Sequence, residues 1–200
     1  MSGVKQIAGR AVVVQRTDVD TDQIIPAAWL KRVERTGFGA GLFEAWRADP
    51  SFPLNQPGAD TARVLLSGPN FGCGSSREHA VWALQDFGFQ AVVAPSFADI
   101  FRGNAISSGL VPAQVTEEAA ARLGAALAAA PEAEVVVDVA ARTISVGADV
   151  NEPFELADYA QWRLIEGLDD IGLTLRHEGA IAGFESRRPD WLPTVTTTGS

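Results

Sequence analysis

Short apolar runs alternate along this chain with polar or turn-forming stretches. Ala11–Gln15, Ala62–Leu66, Gln90–Ala94 and Leu110–Val115 have the length and composition of buried strands. Between them the apolar spacing becomes helical. One helix is predicted from about Ser76 to Phe87, with Ala80, Leu84 and Phe87 on one face, and another over Phe97–Ser107. Glu117–Ala130 is an Ala-rich helix with Leu123 and Leu127 one turn apart, and Pro131 ends it. Glu134–Val146 alternates like two strands joined by a turn near Ala141. Glu155–Glu166 and Asp169–Ile181 read as helices broken at Gly167. Strands alternating with helices place the chain in the α/β class, and the late hairpin favours a mixed sheet with flanking helices.

The connecting pieces are rich in turn formers. Arg16–Asp22 alternates Asp18, Asp20 and Asp22 with other residues and is expected to be loop. Thr36–Gly41 carries three glycines and precedes a short helical piece, Leu42–Arg47; Asp49–Asp60, with three prolines and a glycine, is loop. Residues 1–187 are expected to form one domain. Residues 188–200 form a tail, weakly ordered unless it packs on a partner.

Composition narrows the function. With 46% hydrophobic residues in 200, the chain can bury a core. No apolar run reaches the roughly 18–20 residues that span a bilayer, and no apolar stretch follows the basic residues at the start, so a cytoplasmic protein is expected. A single cysteine, Cys73, excludes an internal disulfide and any cluster held by several thiolates of this chain. Two histidines, His79 and His177, make a His-based metal site improbable, so no metal is expected on this chain. A net charge of −9 opposes nucleic-acid binding. An anionic substrate would need local positive charge, and Arg32, Arg35, Arg77 and Arg102 are the candidates.

The most informative stretch is Gly68–Ala80, between a predicted strand and a predicted helix, where α/β sheets place ligands. Gly72 and Gly74 allow close backbone approach to a ligand and expose N–H groups. The helix start adds further N–H groups and the positive end of its dipole, and Arg77 adds a planar fork suited to a carboxylate. A purely structural account also exists: Ser75 and Glu78 fit a capping box. That account leaves the two glycines, the doubled serine and the arginine unexplained. The segment lacks the lysine of a phosphate loop and the glycine placement of a nucleophile elbow. Cys73 as a nucleophile with His79 as its base is an awkward pairing across a helix start.

Asn70–Ala80 resembles the signature of the 3-isopropylmalate dehydratase (isopropylmalate isomerase) small-subunit family, in the aconitase superfamily. Asp20–Ala27 resembles its second signature, and Ser96–Phe101 with Asn104, Gly109 and Leu110 its third. All three stand in family order, over about Lys5 to Phe184. The resemblance implies a swivelling β/β/α domain. It also implies a large partner subunit that carries a [4Fe–4S] cluster, in a heterodimer that interconverts 2- and 3-isopropylmalate by loss and re-addition of water in leucine biosynthesis. In that setting Ser75 is the base, assisted by converging N–H dipoles, Arg77 and exclusion of water. Arg77 holds a substrate carboxylate, with Gly74 and Ser76 beside it. Asp22 is the acidic residue of the site, orienting a partner histidine. The loop 29–39 discriminates the substrate's side group: Arg32 or Arg35 clasps a second carboxylate, and Leu30 or Val33 meets the isopropyl group. His79 supports the site from its helix, and Cys73 is a small packing residue. The order Phe101-Arg102-Gly103-Asn104 departs from the family pattern and weakens a site role for Arg102. A citraconate or homoaconitate hydro-lyase small subunit is the near alternative; a non-catalytic anion-binding regulatory module is the distant one.

Overall fold

The structure, a computed structural model, describes residues 3–31, 36–75 and 77–189. Two four-stranded sheets form its centre. The parallel one contains β2 (Ala11–Val14), β3 (Val64–Ser67), β4 (Ala91–Ala94) and β5 (Val111–Gln114), side by side in chain order. The antiparallel one has the order β1 (Gln6–Gly9), β6 (Val135–Asp138), β7 (Thr143–Val146), β8 (Val150–Pro153). Both pairing modes expected of a mixed sheet are thus present, but in separate sheets.

Strand periodicity explains the layers. On the parallel sheet Val12, Leu65 and Val92 point to one face and meet Ala80, Val81 and Leu84 of α3 (Glu78–Phe87) and Phe101 and Ala105 of α4 (Asp99–Ser108). Val64, Leu66, Val93 and Val111 point to the other face and meet Ile7, Val137 and Ile144 of the antiparallel sheet. Leu123 and Leu127 of α5 (Glu117–Ala129) and Leu164 of α6 (Asp158–Glu166) complete that second core. The result is antiparallel sheet, parallel sheet, then helices: a β/β/α stack. Pro112 lacks a backbone N–H and sits on β5, an edge strand of its sheet, where a ladder bond can be forgone.

Several expectations change in detail. β1 and β8 were not foreseen; each is ordered by its partner, β1 by β6 and β8 by β7. The aspartate-rich loop ends in a helical turn, α1 (Thr21–Ile24), capped by Asp20. A further turn, α2 (Glu44–Arg47), falls within the expected helical piece. The helix expected over 169–181 is two, α7 (Asp170–Leu175) and α8 (Glu178–Glu185), separated at Arg176 and His177. The capping box of Ser75 and Glu78 does not form. Arg77 occupies the cap position of α3 in an extended conformation, with no side-chain cap bond.

Candidate active site

Because β2, β3 and β4 are parallel, the loops leaving them emerge at one edge, where they are stitched together. Gly72 and Cys73 donate their N–H groups to the Val19 carbonyl at 2.8 and 3.1 Å, and Thr21 N–H returns a bond to Cys73 O at 2.9 Å. On the other side Phe71 N–H donates to Ser96 O and Ala98 N–H to Phe71 O, both at 3.0 Å. Residues 71–73 therefore run like a short extra strand between residues 19–21 and 96–98. Asn70, at φ 57°, enters this run; its N–H donates to Ser96 Oγ at 2.8 Å and its side-chain amide to Asp18 Oδ1 at 2.7 Å. Asparagine and aspartate tolerate this left-handed backbone better than most residues.

The glycines answer to this stitching. At Gly72, φ is 77° and an added Cβ would lie 2.2 Å from Phe101 Cγ. At Gly74, φ is 88° and a Cβ would lie 2.3 Å from Asp20 Oδ2. The expected role of Gly72 in offering its N–H to a ligand is corrected, since Val19 takes that bond. Gly74 and Ser75, by contrast, are exposed at the rim.

Thr21 fixes the serine. It is buried, and its hydroxyl donates to the Ser75 carbonyl at 2.9 Å, across 54 positions of sequence. This tertiary bond holds residue 75 outside the helix, which is why Ser75 is not the cap. Arg77 follows with its side chain 15% exposed, and its Nη1 donates to Asp22 Oδ1 in an ion pair. Asp22, 50% exposed in its side chain, is held in turn by α1. Its N–H donates to Asp20 Oδ1 at 2.6 Å, while Asp20 N–H donates to Gln23 Oε1 at 2.9 Å. The arrangement is an open edge carrying a hydroxyl, a guanidinium and a carboxylate.

Comparison with known proteins reaches the same place. The aconitase C-terminal domain family matches residues 1–118, more than half of the chain. A second family, the C-terminal domain of the 3-isopropylmalate dehydratase small subunit, matches residues 170–197. A Frankia alni 3-isopropylmalate dehydratase small subunit is 61% identical over 187 residues, covering 94% of this chain and 95% of its own. The chain belongs to the 3-isopropylmalate dehydratase small-subunit family. A Rubrobacter xylanophilus small subunit of that name is 52% identical over 195 residues, with 98% and 100% coverage. Among solved structures, 3-isopropylmalate dehydratase from Methanocaldococcus jannaschii superposes with a TM-score of 0.68 at 27% identity, over 89% of this chain and 98% of that one.

In this small-subunit fold the three signature segments meet, bringing Ser75, Arg77, Gly74 and Asp22 to one edge. Asp22, expected to orient a partner histidine, is bound here to Arg77. Leu30 lies in a 3-10 turn over Ala27–Lys31, half-buried. Ser76, Arg32, Val33 and Arg35 lie outside the described residues. Arg102 turns away to Asp99 Oδ1 at 2.9 Å and Gln114 Oε1 at 3.3 Å. His79 packs against Phe38 and Trp82, with ring centroids at 5.4 and 4.7 Å. Burial, then the nearby Asp20 and Asp18 carboxylates, push the Cys73 thiol up from its ordinary pKa. A thiol held protonated is a poor nucleophile. Thr21 and Ser96 stand in the signature segments and Asp18 in the preceding loop, but the sequence carries no sign of their tertiary hydrogen bonds.

Proposed function

We propose that this chain supplies the serine base and arginine clamp of a 3-isopropylmalate dehydratase. The enzyme would interconvert 2- and 3-isopropylmalate in leucine biosynthesis, in the cytoplasm, together with a large subunit. The observation that carries this reading is that the Thr21–Ser75 bond and the Arg77–Asp22 pair hold an exposed serine and an arginine two residues apart at the same edge of the fold.

Dehydration requires a base to take a weakly acidic proton from the carbon next to a carboxylate. A serine hydroxyl is suited to this only if its anion is stabilised, and a nearby cation in a site closed from water provides several kcal/mol. Arg77 binds Asp22 through Nη1, and in our reading the rest of its guanidinium receives a substrate carboxylate. Asp22 then acts as the support that fixes the fork. The donors of this chain do not suit a [4Fe–4S] cluster. There is one cysteine, and among the described residues no group of three or more His, Cys, Asp or Glu side chains is placed to hold a metal ion. We therefore assign the cluster to the large subunit. Among the described residues no helix is long and apolar enough to cross a membrane.

The test mixes the purified chain with a cluster-bearing large subunit and follows hydration of isopropylmaleate. Turnover that requires both chains is expected; none with the cluster intact would overturn the reading. Faster turnover of citraconate or homoaconitate would move the substrate assignment and leave the hydro-lyase chemistry in place.

A further inference from the structure

Helices of six and eight residues are marginal in water and gain their stability by packing an apolar face on something else. α7 and α8 have these lengths, and neither buries a residue in this chain. Their large apolar side chains face outward: Ile171 is 71% exposed, Leu175 60% and Phe184 65%, and Ile181 joins them. Tyr159 and Trp162 of α6 add two exposed aromatic rings. The base of this arm, in contrast, is pinned to the body. Arg163, buried on α6, donates to Leu168 O at 3.3 Å and to Asp170 Oδ1 at 2.8 Å, and Asp169 caps α7 through Gly172 N–H at 2.7 Å. A pinned base with an outward apolar face is preorganised for docking.

We infer that α7 and α8, with Tyr159 and Trp162, form a docking face for the large subunit. The division of the chain between families selects this occupant over a second copy. The aconitase C-terminal domain match ends at residue 118, whereas residues 170–197, which contain both helices, match the family named for the small subunit of the dehydratase. The arm is thus a feature of the small-subunit form of this fold. The inference rests on the two-subunit reading above.

The experiment uses the full chain carrying Ile171→Asp, Leu175→Asp and Phe184→Asp, titrated against purified cluster-bearing large subunit. Exposed positions can accept charge without disturbing a core, so the isolated variant should keep the wild-type Tm. The Kd for the large subunit should rise at least ~100-fold, as expected when several central apolar contacts are lost, with turnover recovered at saturating partner. An unchanged Kd overturns the inference while the two-subunit reading stands; a wild-type chain that does not pair overturns both. A fall in the Tm of the isolated variant would show that this chain covers the face itself. Self-association of the wild type that the variant abolishes, with pairing to the large subunit intact, would give the face to a second copy.

Discussion

The edge formed by residues 18–24, 70–75 and 96–101 and the arm formed by α7 and α8 use the chain's own contacts in opposite ways. At the edge, backbone and side-chain hydrogen bonds link segments more than 50 positions apart, and two glycines sit where a methyl group has no room. In the arm, a Cβ added at Gly179 or Gly183 meets nothing within 4 Å, and the apolar side chains face outward. Ser75, Arg77 and Asp22 are thus held by contacts within this chain, whereas the apolar face of the arm has no such cover among the described residues. Preorganised sites need such internal support, since a small misplacement of a catalytic group costs orders of magnitude in rate.

Alanine substitutions at glycine probe this contrast most strongly. Gly72→Ala combines a positive φ with a clash against Phe101 and should cost about 3 kcal/mol in the urea stability of the isolated chain. Gly183→Ala, in the interior of α8, should change the same measurement by less than ~1 kcal/mol and toward stability. Equal effects at the two positions would erase the distinction. Arg77→Lys replaces a fork with a point charge, and the Michaelis constant of the assembled enzyme should rise roughly 10- to 100-fold with a smaller change in kcat. An unchanged Michaelis constant would leave Arg77 with only its bond to Asp22.

Thr21→Val removes the hydroxyl that holds the Ser75 carbonyl and keeps the side-chain shape. It should lower kcat about 10-fold at a cost near ~1 kcal/mol of stability, with Thr21→Ser restoring most of the rate. Loss of stability with kcat intact would reduce Thr21 to a packing residue. The smallest effect is expected at Cys73. Its raised pKa means the folded chain holds the thiol proton at pH values where the unfolded chain has released it. Its contribution to stability is therefore full below the ordinary thiol pKa and declines as pH rises above it. Cys73→Ser should flatten that alkaline decline and leave turnover at neutral pH nearly unchanged.

Much of this fold was legible in the sequence because its central strands are continuous apolar runs. β3 and β4 are buried along their whole length, and the β6–β7 hairpin alternates cleanly. β1 and β8 carry no such signal; the VNEP of β8 is ordered by its ladder with β7. Motif and chemistry single out Ser75, Arg77 and Asp22 in the sequence, and the fold places them at one edge. Their mutual arrangement was not legible there. The Ser75–Glu78 spacing favours a local cap, but the distant Thr21 binds the Ser75 carbonyl and the helix takes an extended Arg77 as its cap residue instead. The side chains of Asp18 and Ser96 show no role in the sequence and acquire one through Asn70 once the three loops meet.

At the centre is the claim that the Ser75 hydroxyl takes the proton, rather than merely finishing a turn. Ser75→Ala, assayed in the assembled enzyme, tests this most directly. Pairing with the large subunit and the Michaelis constant should hold within about twofold, while kcat falls about 1,000-fold, the scale of a lost general base. Turnover within tenfold of the wild type, at equal cluster content, would contradict it.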